Sequence, residues 1–130
     1  MNNTNIISDY MNDTEFTPKK TEGALNVALN ILDKWSLSDD EKHKILGLTQ
    51  SSTAINVSDI ASSASTELQF RLSIIIGLKG DLRAATSSNE LMSNWLKRPL
   101  SNGETPLEVL SSDDYDKMLS LRARAKSLAW

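Results

Sequence analysis

The sequence predicts an all-α protein of six or seven helices, and three observations carry that prediction. Apolar residues recur at helical spacing, as in Leu25, Ala28, Leu29, Leu32 and Trp35. Two capping boxes mark helix starts, Ser38 with Glu41 and Thr105 with Glu108, the second reinforced by Pro106 at the first helical position. Gly47 and Pro99 stand where helices should end. The chain divides into a flexible arm over residues 1–22, a helix-turn-helix-like region over 23–64 and a C-terminal helical domain over 65–130.

A chain of 130 residues can bury a core without covalent staples. It has no cysteine, which excludes disulfides, thiolate metal sites and cysteine nucleophiles together. Fourteen Lys and Arg against seventeen Asp and Glu give a net charge of −3, which argues against broad non-specific affinity for nucleic acid but leaves a local basic patch open. No positively charged start is followed by an apolar stretch of signal-peptide type. The longest apolar run, Ile74-Ile75-Ile76-Gly77-Leu78, is far too short to span a bilayer. These features predict a soluble, cytoplasmic protein with no membrane partner.

Residues 1–22 are rich in Asn, Asp, Thr and Ser and include Pro18-Lys19-Lys20, a composition that cannot offset its ordering entropy. The expectation is a mobile arm, with a partner-binding or protease-accessible arm as the functional alternative. From Gly23 the helical apolar pattern begins, widened by Val27 and Ile31, and the segment Trp35-Ser36-Leu37-Ser38 closes it. Ser38 and Glu41 then start a short helix, Asp39 to Leu46, whose first-turn acids suit the positive helix end and whose C-cap is Gly47.

A helix, a Gly-Leu turn and a Ser/Thr-rich start at Ser51 or Ser52 have the outline of a helix-turn-helix. Its candidate DNA contacts are Gln50, Ser51, Ser52, Thr53 and Asn56. The charge is wrong for a reader of duplex: with no Lys or Arg to offset Asp59 and Glu67, the span from Ile45 to Phe70 is net −2. A retained structural unit is the alternative, and the preferred one.

Ser62-Ser63-Ala64-Ser65 reads as a linker ending in an N-cap. A long helix follows, with Leu68, Leu72, Ile75 and Ile76 on one face and Leu82 and Ala85 continuing it to about Thr86. Gly77 and Gly80 each cost roughly 1 kcal/mol in a helix interior, so the helix either bends there or packs closely on a neighbour. The consecutive isoleucines Ile74, Ile75 and Ile76 suggest burial on two sides, and a homodimer as one way to provide it. Ser88 or Asn89 caps the next helix, which carries Leu91, Met92, Trp95 and Leu96 and stops before Pro99. Asn102-Gly103 supplies a turn, and Thr105-Pro106-Leu107-Glu108 starts another helix. Ser111 or Ser112 then caps the last helix, with Asp113, Asp114 and Asp116 in its first turn. Tyr115, Met118, Leu119 and Leu128 form its apolar side, Arg122, Arg124 and Lys126 lie in its second half, and the chain ends on Trp130.

A helix ending in Trp95-Leu96, a polar loop with Pro99 and Gly103, and then Thr105-Pro106-Leu107-Glu108-Val109-Leu110 resemble the C-terminal toxin-binding domain of the Xre/MbcA/ParS-like antitoxins. Trp35-Ser36-Leu37-Ser38 and Ile45-Leu46-Gly47-Leu48 resemble the N-terminal half of the same family. The resemblance runs from about Ala24 to Leu128. It implies an antitoxin that occludes the active site of a RES-domain toxin, a class associated with degrading NAD, and that represses its own operon as a complex. It also implies a toxin contact at the C-terminal end, at Arg122, Arg124, Lys126 and Trp130, since Trp and Arg dominate interface hot spots; the alternative is a basic C-terminal turn with Trp130 folded back on its own domain. Lys97 and Arg98, beside the Pro99 to Glu104 loop, are further candidates for toxin binding, with a solvated helix end as the alternative. Trp95, on the apolar face of its helix, is read as core. The leading alternative function is a small helix-turn-helix transcriptional regulator acting through DNA alone.

Enzyme chemistry finds little support. His43 is the single histidine and follows Lys42 on a short polar helix, so it is read as solvated rather than as a base or ligand. There is no nucleophile elbow and no glycine-rich phosphate loop, and the carboxylates sit at helix starts rather than in ligand sets. No catalytic residue, metal or cofactor is expected.

Overall fold

In the computed structural model, residues 18–48, 57–62 and 65–128 are described, and they form seven helices with no strand. The helices are α1 (Pro18–Lys34), α2 (Asp39–Leu46), α3 (Val57–Ser62), α4 (Thr66–Arg83), α5 (Asn89–Leu96), α6 (Pro106–Leu110) and α7 (Tyr115–Lys126). The all-α class and the helix number agree with the sequence.

The axis of the fold is α4, against which α1, α2 and α7 all pack, while α3 lies on α1 and α6 joins α5 to α7. Its apolar residues Leu68, Phe70, Leu72, Ile74, Ile75, Leu78 and Leu82 are all buried. Each large aliphatic so placed contributes about 1.5–3 kcal/mol of transfer free energy. Ile74 and Ile75 are therefore covered within one chain, and Ile76 is half-buried. Trp35, directly after α1, is fully buried; its indole Nε1 donates to Met92 Sδ at 3.4 Å, and Ser93 Oγ donates to the Trp35 carbonyl at 2.7 Å. These bonds seat α5 on the end of α1.

The helix boundaries follow the caps. Ser38 and Glu41 form a reciprocal capping box, and Gly47 closes α2 at φ +70°, donating its N–H to the carbonyls of His43 and Lys44. Ser65 accepts from Leu68 N, Ser88 from Leu91 N, and Thr105 from Glu108 N in the second box with Pro106 behind it. Helix α5 stops at Leu96, two residues ahead of the Arg98 backbone that Pro99 restricts.

Four local readings change. Helix α1 begins at Pro18, inside the stretch read as an arm, because proline suits a first helical turn and Thr21 is buried on the core side. His43 is 4 % exposed rather than solvated; its Nδ1 lies 2.7 Å from the Asp39 carbonyl, which can only accept, so that nitrogen carries the proton. The cap of α7 is Asp114, which accepts from Lys117 N, rather than Ser111 or Ser112. Those serines finish α6 instead, Ser111 Oγ donating to the Leu107 carbonyl and Ser112 Oγ to that of Val109. The core side of α7 also includes Leu121 and Ala125, while Leu119 and Leu128 are half-buried.

Candidate partner-binding surface

The loop between α5 and α6 is built from short-range bonds. Leu100 N donates to the Glu104 carbonyl at 2.7 Å, and Gly103 N donates to the Leu100 carbonyl at 2.9 Å. Gly103 has φ +88°, a value that a side chain would strain, and Asn102 Oδ1 accepts from Glu104 N at 3.0 Å. The Asn102-Gly103 pair thus forms the turn its chemistry predicts.

Two side chains then fasten this loop to α7. Lys117 Nζ meets Glu104 Oε1 at 2.7 Å, and Arg124 Nη2 donates to Ser101 Oγ at 3.3 Å. The Glu104 carboxylate beside it raises the Lys117 ammonium above its usual value. A surface pocket of about 100 Å³, lined by Leu100, Val109, Lys117, Leu121 and Arg124, lies where loop and helix meet. Lys97 and Arg98, both exposed, stand at the start of the loop whose Ser101 receives Arg124. Lys126, also exposed, is on the last turn of α7.

The other predicted site residues fall elsewhere. Arg122 is held inward by Asp81, with Nε to Oδ2 at 2.8 Å and Nη2 to Oδ1 at 3.2 Å. Its guanidinium lies over Gly77, where an added Cβ would come within 2.4 Å of Cζ. The close packing expected at this glycine is therefore Arg122 itself, a tie between α7 and α4 rather than a surface contact. Trp130 and the proposed DNA contacts Gln50, Ser51, Ser52, Thr53 and Asn56 lie outside the described residues. Trp95 is core, at 6 % exposure.

Sequence reasoning missed Arg71, a buried cation with four bonds to other elements. Its side chain is 5 % exposed and reaches three carbonyls: Nη1 to Ile45 at 3.2 Å and Leu110 at 3.1 Å, and Nη2 to Ser112 at 2.9 Å. Nη2 also meets Asp113 Oδ1 at 2.9 Å, and the guanidinium lies 5.5 Å from the Tyr115 ring centroid. Tyr115 in turn packs edge-on against Phe70, with centroids 5.1 Å apart. Ile45 and Leu110 lie in the last turns of α2 and α6, where carbonyls lack helical donors and the helix dipole is negative, so one planar cation answers both. A 250 Å³ cleft adjoins this clamp, lined by Gly47, Leu48, Ile60, Glu67 and Asp113 among others.

Among the described residues no group of three or more His, Asp or Glu is placed to hold a metal ion, and no helix is long and apolar enough to cross a membrane. Compared with known proteins, the chain matches no family model, no curated protein and no solved structure.

Proposed function

We propose that the chain is an antitoxin that binds a RES-domain, NAD-degrading toxin and blocks entry to its active site, performing no chemistry itself. The observation that supports this reading best is the joint between the α5–α6 loop and α7. It carries exposed Lys97, Arg98, Arg124 and Lys126 on a loop and a helix whose backbone is already fixed by hydrogen bonds. A preorganised surface of this kind loses little conformational entropy on association, and exposed cations steer it to an acidic mouth. Occlusion needs no catalytic group from the antitoxin.

The test begins with co-purification of the chain and a RES-domain toxin, if one is encoded beside it, followed by NAD consumption titrated with the chain. Cutting α7 after Ser120 would strip Leu121 and Ala125 from the core, so charge-reversed variants are the better probes. Stoichiometric inhibition is expected for the native chain. The double variant Lys97→Glu/Arg124→Glu, with unchanged helicity, should inhibit about tenfold less well. The absence of both complex and inhibition would defeat the proposal, and steeply salt-dependent binding to operator DNA would then favour the regulator.

A further inference from the structure

A second surface lies on the face formed by α1 and α4. Between these helices runs a groove of about 530 Å³, floored by Val27, Ile31, Ile76 and Gly80 and flanked by Lys34 and by Lys79, whose Nζ also donates to Asn89 Oδ1 at 3.0 Å. Val27 is 49 % exposed, one of two large apolar side chains left so open among the described residues. Gly80 contributes to the depth: a Cβ there would meet nothing within 4 Å, so its missing side chain is space rather than close packing. Arg83 lies one turn beyond Lys79 on α4, and no carboxylate is among the groove's lining residues. Burial first, then the nearby charges of Arg83 and Lys34, push the Lys79 ammonium below its usual value.

We infer that this groove receives an acidic amphipathic helix of a partner protein, apolar side down on Val27, Ile31 and Ile76 and carboxylates against Lys34, Lys79 and Arg83. Charge decides between the occupants. A second copy of the chain would bring the same groove lining, which has cations and no carboxylate to set against Lys34, Lys79 and Arg83. A nucleic acid has no use for an apolar floor. The shape and chemistry match the helix-in-groove mode, in which residues at three- and four-residue spacing anchor and flanking charges set orientation. This surface is independent of the α5–α6 loop and the end of α7.

The experiment is fluorescence anisotropy with labelled amphipathic peptides of about 16 residues, roughly four helical turns. Their leucines are identical, and the flanking positions are Glu in one and Lys in the other. The Glu peptide should bind about tenfold or more tightly than the Lys peptide. Lys34→Glu/Lys79→Glu should reverse that order. Gly80→Leu, whose Cβ would meet nothing within 4 Å and whose side chain would project into the groove, should weaken the Glu peptide about tenfold at unchanged helicity. Equal affinity for both peptides, no binding of either, or indifference to Gly80→Leu would overturn the inference. Three further results would also overturn it: self-association abolished by Gly80→Leu, phosphatidylserine vesicles bound in preference to the Glu peptide, or about tenfold tighter peptide binding after removal of residues 1–17, which would make the chain its own occupant.

Discussion

Arg71 offers the sharpest test of how this fold is held. Replacing it by Ala removes donors from the carbonyls of Ile45, Leu110 and Ser112 and from the Asp113 carboxylate, and leaves space beside Tyr115. A hydrogen bond to a charged group contributes about 1.5–3 kcal/mol, and a buried acceptor left without a partner costs about 1–3 kcal/mol. These terms are not additive, because the freed carbonyls relax together. The ion pair itself adds little: the Asp113 side chain is 91 % exposed, so its share is about 0–1 kcal/mol. The expected loss is therefore about 3–5 kcal/mol, a large part of the 5–15 kcal/mol that stabilises a typical domain. Arg71→Lys should recover less than about half of it, since one ammonium cannot reach three carbonyls and a carboxylate at once. Asp113→Asn should cost about 1 kcal/mol or less. Urea unfolding at constant m-value measures all three. If Arg71→Ala unfolds within about 1 kcal/mol of the native chain, the clamp is ornamental and the account given for it is wrong.

The two glycines of α4 should separate. Gly80→Ala stabilises by about 1 kcal/mol through helix propensity, whereas Gly77→Ala destabilises because its Cβ pushes Arg122 off the buried Asp81 carboxylate; thermal melts that rank them the other way would refute the packing. Thr105→Ala should cost about 1 kcal/mol through the lost cap, and an unchanged melting temperature would count against that helix start. Burial raises the Tyr115 phenol above its ordinary value of 10.0, with Arg71 opposing and Glu67 reinforcing the shift. The folded state thus holds that proton more tightly than the unfolded chain, so the stabilisation is complete below pH 10.0 and is lost as pH rises beyond it. Tyr115→Phe should flatten the alkaline limb of a stability-against-pH curve, and an identical limb in both proteins would show that another group causes it.

What the sequence made legible is what is settled within about one helical turn. The Ser38 and Thr105 boxes, the Gly47 cap, the stop before Pro99 and the Asn102-Gly103 turn each depend on partners at most five residues away. The ties that join helices were not legible in that way. Arg71 bonds across 26, 39, 41 and 42 positions, and Arg122 reaches Asp81 across 41. A signal for them was nonetheless present. Arg71 falls three after Leu68 and four before Ile75, Asp81 falls three after Leu78, and Arg122 falls between Met118 and Ala125 at the same spacing. A charged residue on the apolar period of a helix is either solvated at the edge or paired inside. Here Arg71 and the Asp81–Arg122 pair are inside, and taking Arg122 as a surface cation overlooked that period.

The same ties bear on the proposed toxin-binding end. Helix α7 is anchored to α4 near both of its termini, by Arg71 at Asp113 and Tyr115 and by Asp81 at Arg122. Between those anchors its orientation is set by Met118 and Leu121 in the core, so Arg124 reaches the Ser101 loop from a helix with little freedom to roll. An arginine that approaches a flexible loop from a loosely held helix would lose rotamer and backbone entropy on meeting a partner. Here most of that ordering has already occurred on folding. The net charge of −3 therefore conceals a division of labour among the cations: Arg71 and Arg122 order the interior, while Lys97, Arg98, Arg124 and Lys126 stay exposed on the loop and helix that this order fixes.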